Sequence, residues 1–289
     1  ELRGIRLLNA VENGTVLGAE LETYLSDAGR LAEFTVLLSQ RGQTVRMANA
    51  QTTMSAITLS ARANTAVFVQ ATDNNSAAVR AVVSSSIAMS TVSVIRSSLI
   101  SVSDNPTSWG YFSTSPYYEI NIRNIVANYA NLDPLLYPNI SSLILNVVSM
   151  GDISVNSRAM RAVVASQPTV TIMVGDSAAM ALVASDTTAI TTVASTTAIM
   201  PTVANSTVAM AEIIARSGAT LIVSSNVGSI QAIAANLNAW VNFRNGTFFI
   251  ANLKTIISNL IGINPLDYVD IDSIIADPIA LGSLALSQP

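Results

Sequence analysis

The chain has 289 residues, half of them hydrophobic and only 11% charged, with a net charge of −4 at pH 7. So little charge on so apolar a chain excludes intrinsic disorder, and thirteen scattered arginines plus Lys254 make no clustered footprint for a phosphate backbone, so no nucleic-acid partner is expected. The absence of Cys and His excludes disulfides, thiolate catalysis, Cys-based zinc sites and imidazole acid–base chemistry.

Residues 1–50 form an N-terminal helical segment that holds 11 of the 32 charged residues. Within it "SDAGRLAEFTVLLSQRG" (26–42) predicts a capped amphipathic helix ending at Gly42. The chain opens at Glu1 rather than Met and shows no secretory signal pattern, which leads us to expect a processed or partial product. Residues 51–103 follow as a first repeat block, less regular before Val79. Residues 104–150 form a first aromatic module, 151–236 a long regular repeat block, and 237–289 a second aromatic module with a C-terminal tail.

The regular block repeats every ten residues. Met160, Val170, Met180, Ile190, Met200, Met210, Thr220 and Ile230 stand at one position, and three residues later come Val163, Met173, Val183, Val193, Val203, Ile213, Val223 and Ile233. The residue before the first set is usually Ala, and the middle of each unit is polar: Ser166, Asp176, Asp186, Thr196, Ser206, Asn226 and Asn236. A fixed internal period means stacked units. Apolar spacing of three then seven is helical, yet ten residues at 3.6 per turn leave the stripe about 80° out of phase at each repeat. The chain must therefore break once per unit, where Ser, Thr, Asp and Asn cap helix starts. This predicts a mainly α fold, a solenoid-like stack of short kinked helices whose inner seam is built from Met160, Val163, Met180, Val183, Ile190, Val193, Met200, Val203, Met210 and Ile213. A β-solenoid stays open as the alternative, because Thr and Val favour strands.

A longer duplication lies above the short one. "WGYFSTSPYYEINIRNIVANYANLDPLLYPNISSLI" (109–144) and "WVNFRNGTFFIANLKTIISNLIGINPLDYVDIDSII" (240–275) align without a gap at an offset of 131. Each aromatic α(+β) module reads as an extended aromatic stretch, with "RNGT" (244–247) as a hairpin turn in the second copy. A helix near Ile122–Tyr129 or Leu253–Leu260 then leads to an Asp-Pro or Asn-Pro turn and a short helix. Trp109, Tyr117, Tyr118, Trp240, Phe248 and Phe249 recur inside an apolar frame and are candidate subunit contacts.

No set of residues assembles a reaction. "GDSAAM" (175–180) resembles the nucleophile block of GDSL-type hydrolases, but there is no His to activate Ser177, and the three residues fall on the polar positions of the repeat. Asp267, Asp270, Asp272 and Asp277 suggest calcium or paired carboxylates. The first copy answers with Leu136, Asn139, Ser141 and Asn146, so helix capping is the common denominator. The sequons at Asn13, Asn74, Asn139, Asn205 and Asn245 are what a Ser/Thr/Asn-rich composition produces by chance. The uncharged run Thr187–Ala211 is long enough to span a bilayer but carries frequent hydroxyls and Pro201, so membrane insertion is not expected. No catalytic residue, cofactor or metal ligand is assigned, and the expectation is not an enzyme.

Units such as "TTAIMPTVANSTVAMAEII" (196–214) and "SSSIAMSTVSVI" (84–95) resemble repeats in tail-fibre and other appendage proteins of tailed bacteriophages. "GTVLGAELETYLSDAGRLAEFTVLLSQRGQTVRMANAQTTM" (14–54) is similar to the segment that introduces such repeats in some of them. The resemblance covers about two thirds of the chain, leaves out the two Trp-led modules and carries no catalytic residues. It implies a virion structural component on the tail or an appendage, a homo-oligomer in contact with other virion proteins. An adhesin or receptor-binding module that displays the aromatic segments to host glycans is the alternative.

Overall fold

The polar beat becomes a series of helix starts. In the computed structural model, which describes residues 2–72, 76–280 and 283, the residues preceding successive helices are Asn146, Asn156, Ser166, Asp176, Asp186, Thr196, Ser206, Arg216, Asn226 and Asn236. Most of them accept a hydrogen bond from an orphan N–H of the first turn, as Asp176 and Asp186 do from Ala179 and Ala189 at 2.8 and 2.9 Å. Each helix lasts about two turns before the next polar residue interrupts it. The chain is mainly helical, many short helices packed in a repeat-like array.

Two positions break the rule for visible reasons. The Thr196 hydroxyl donates back to Thr192 O at 2.8 Å instead of capping. Pro201 then lacks the N–H that would reach the Thr197 carbonyl and crowds that carbonyl, so residues Thr197–Ile199 tighten into a 3-10 turn before the helix Met200–Asn205. Arg216 has no acceptor for the next helix. Its guanidinium bonds instead to Glu212 and to Ser185 Oγ.

Residues 1–138 and 139–289 form two compact units. Consecutive helices meet at sharp bends, 103° between Ser86–Ser93 and Arg96–Ser103 in the first unit and 99° between Gln167–Val174 and Ser177–Ser185 in the second. A helix packs on its neighbours and on the third helix along. Ser177–Ser185 lies against Thr207–Ile214, and Thr187–Ser195 against Ser217–Ser224. The residues turned inward are the ten-residue pairs. Met160, Val163, Met180, Val183, Ile190, Val193, Met200, Val203, Met210 and Ile213 are all at most 1% exposed. Burial of each such side chain stabilises by about 1.5–3 kcal/mol. Thr220, the one polar member of the series, is buried with its hydroxyl donated to Ile213 O and Arg216 O.

Hydroxyls also join successive passes of the chain. Helix C-termini leave carbonyls without intrahelical partners, and Ser85, Ser98 and Ser108 donate to Ala48 O, Thr58 O and Phe68 O, while Ser206 and Ser229 donate to Val174 O and Ala194 O. Low charge and abundant serine thus have one cause. A buried polar group is tolerated when it is small and bonded.

Several expectations need correction. No β-strand occurs among the described residues, so the β-solenoid alternative and the β part of the aromatic modules fall away. "RNGT" is not a hairpin turn. Arg244 closes the helix Leu237–Arg244, and Gly246 sits where an added Cβ would lie 3.1 Å from Ile214 Cβ. The helix expected to reach Gly42 runs only over Ala28–Leu38, because the Ser39 hydroxyl turns back to Val36 O and Gln40 is extended; Gly42 belongs to the next helix, Arg41–Ala48. Asn74 and most of the C-terminal tail lie outside the described residues.

Candidate functional site

The aromatic segments begin as one more repeat. Trp109 and Phe112 follow Leu99 and Val102 by ten residues, and Trp240 and Phe243 follow Ile230 and Ile233. Their helices, Pro106–Ser113 and Leu237–Arg244, start at Asn105 and Asn236, which cap Ser108 and Ala239 N–H at 2.9 Å. Large rings in a seam built for Met and Val end the regular rhythm. The following helices, Tyr118–Tyr129 and Phe249–Ile261, are half as long again and pack against preceding ones.

The same bonds recur in both copies. Asn121 and Asn252 each donate to the carbonyl four residues back at 2.8 Å. Asn128 reaches Ser93 O at 3.1 Å, and Asn259 reaches Ser224 O at 2.7 Å. Arg123 holds Tyr137 O and Pro138 O, while Lys254 holds Tyr268 O and Val269 O. These cations anchor the loops that carry the 3-10 turns Pro134–Leu136 and Pro265–Asp267, each opened by an Asx residue, Asp133 or Asn264. Asn139 and Asp270 then form matching capping boxes with Ser142 and Ser273.

The rings themselves face mostly inward. Trp109, Phe112 and Tyr118 are buried, with Trp109 and Tyr118 edge to face at 6.3 Å, so Trp109 and Tyr118 hold the first unit together. In the second copy Trp240 and Phe249 meet at 5.8 Å and are half-buried, as are Tyr117 and Phe248. What reaches solvent is aliphatic. Leu135 is 84% exposed and Leu266, its equivalent, 87%, with Leu136, Val269 and Ile120 also exposed. Large apolar side chains left in water at one position of both copies were missed in the sequence, although the pairing of Pro134–Leu135 with Pro265–Leu266 was there to be read.

The other candidates have structural duties. Asp176 is a helix cap, and Ser177 Oγ donates to Glu212 Oε1 at 2.6 Å. That bond, and then the Arg216 guanidinium, hold the Glu212 carboxyl below its ordinary range, which makes it a poor base for a serine hydroxyl. Asp267 accepts from the Asn264 amide, Asp270 caps Ser273, and Asp277 accepts from Ile279 N–H and from the Tyr268 hydroxyl at 2.7 Å. The Tyr268 bond lowers the Asp277 carboxyl and raises the Tyr268 phenol. Among the described residues no group of three or more Asp, Glu, His or Cys side chains is placed to hold a metal. No single described helix is long and apolar enough to cross a membrane, and the run 187–211 is divided among several helices. No model of a known protein family and no curated protein matches the chain.

Proposed function

We propose that the chain is a structural component of a bacteriophage virion, a tail fibre or another tail or neck appendage. In this reading the helical array is a solenoid, a spacer held by contacts between near neighbours, and the two aromatic modules are junctions where copies of the chain and other virion proteins meet. The resemblance of the repeats to appendage proteins supports it, as does a surface of Ser, Thr and Ala. The observation that carries the contact role is the exposure of Leu135 and Leu266 at equivalent places in the duplication. A soluble chain leaves such side chains in water at a recurring position when another surface covers them. The buried Trp109 and Tyr118 shape these junctions from within, and the half-buried Tyr117, Trp240, Phe248 and Phe249 border them.

Light scattering on the purified chain and on a Leu135→Asp/Leu266→Asp variant tests this. The parent is expected to run as a homo-oligomer and the variant as a monomer with unchanged helical circular dichroism. A monomeric parent, or a variant that still assembles while host-cell binding is lost, overturns the junction role; the second result points to an adhesin.

A further inference from the structure

Grooves run between some of the helices that pack on the third one along. In the first unit two such grooves lie ten residues apart. One separates Gln51–Leu59 from Ser86–Ser93; it is bridged by Gln51 Nε2, which donates to Thr91 Oγ1 at 3.1 Å, and Leu59, Val94 and Ile95 give its lining an apolar part. The preceding groove, between Arg41–Ala48 and Ala77–Val83, carries different chemistry at the corresponding positions. Gln51 becomes Arg41, Ser90 becomes Arg80, Leu59 becomes Asn49 and Val94 becomes Ser84. These four residues line a cavity of about 400 Å³ that no described acidic side chain enters.

Among the described residues neither guanidinium meets a carboxylate. Among the described residues Arg46 pairs with Glu12 and Arg62 with Glu22, whereas Arg41 and Arg80 have no carboxylate partner; Arg80 lies only over the Tyr111 ring, 5.8 Å from its centre. The Asn49 amide and Ser84 hydroxyl make no hydrogen bond to a described residue either, while the hydroxyls of Thr44 and Ser85 are already committed to Arg41 O and Ala48 O. A net negative chain thus collects in one concavity two arginines without a carboxylate partner, and two polar groups without a hydrogen-bond partner, among the described residues.

We infer that this groove binds a phosphate monoester carried on a sugar-sized polyol. A phosphate monoester holds about −1.5 to −2 charges at neutral pH, which two arginines match. Its tetrahedral oxygens accept from donors on different helices at once, whereas a carboxylate is satisfied by one bidentate arginine. The cavity lies within the range of small-molecule sites, about 300–1,000 Å³, and exceeds what inorganic phosphate fills. Asn49 and Ser84 are left for the polyol hydroxyls. A free sugar phosphate and a phosphate-bearing surface glycan share this chemistry. The site shares no residue with the proposed junctions and does not rest on the virion reading.

Calorimetric titration of the full chain with glucose 6-phosphate, glucose and inorganic phosphate tests it. Glucose 6-phosphate is expected to bind at least about tenfold more tightly than either of the others. Arg41→Gln and Arg80→Gln each weaken that binding at least about tenfold, while Arg96→Gln, at an exposed site elsewhere in the unit, leaves it unchanged. Both groove arginines are exposed, so all variants keep the parent melting temperature. Competition by an oligosaccharide that ends in a 6-phosphorylated hexose, a monoester on a glycan, identifies a surface glycan as a source the groove accepts, and glucose 6-phosphate that resists displacement restricts the site to free esters. Glucose binding as tightly as its phosphate, or groove variants that bind like the parent, overturns the assignment.

Discussion

The clusters around Trp109 and Trp240 have the same polar frame and different interiors. In the first, Tyr129 packs 6.4 Å from Trp109 and its hydroxyl reaches Leu99 O at 2.7 Å; in the second, Leu260 stands at the Tyr129 position and Trp240 is only half-buried. Ser93 and Ser224 differ likewise. Ser93 Oγ donates to Met89 O, while Ser224 Oγ and the nearby Ser258 Oγ are buried with no hydrogen-bond partner among the described residues. The first copy carries Ala127 where the second has Ser258. Duplicated chains keep the bonds that set the path of the backbone and let the filling drift. A missing backbone bond costs at every later residue, whereas a looser core costs only locally.

The largest effect expected to sharpen this contrast is in the rings. Trp109→Ala should cost about 3–5 kcal/mol in urea unfolding and Trp240→Ala about 2–3, because less of the second ring is removed from water. Equal losses would mean that the two interiors are equivalent. A smaller effect should carry the opposite sign. Ser258→Ala restores the residue of the first copy, removes an unsatisfied hydroxyl and should raise stability by about 1 kcal/mol; a loss would mean that the hydroxyl has a partner in solution. The smallest effect belongs to Tyr268 and Asp277. Because the folded carboxyl lies below its ordinary value of 3.8, its contribution is complete above that value and is lost as pH falls through the lowered one. Carboxyl NMR should place the Asp277 midpoint under 3.8, and Tyr268→Phe should move it upward. An unchanged midpoint would remove the hydrogen bond from the account.

Much of the array was legible because its signals are local. A cap four residues before the apolar pair, then a break, gives short helices from Asn146 to Asn236 without any long-range knowledge. The same rhythm in the first unit was harder to see. The helices Arg41–Ala48 and Gln51–Leu59 start after Gln40 and Ala50, neither of which caps with its side chain, and a π-helical stretch over Thr65–Val69 interrupts the count. Trp109 and Trp240 hid their membership of the repeat by size. Which helix would face which was not readable, because it follows from bend angles at the junctions, and neither was the groove beside Arg80, whose two arginines are 39 positions apart.

In the solenoid proposed above, the packing of a helix on the third one along sets a rule for changing the length of the chain. Excising thirty residues from the regular block would leave each downstream helix above a neighbour on its own side. Excising ten would swing the downstream part by about a third of a circuit and re-aim whatever lies beyond. Growth by three units preserves heading, and growth by one steers.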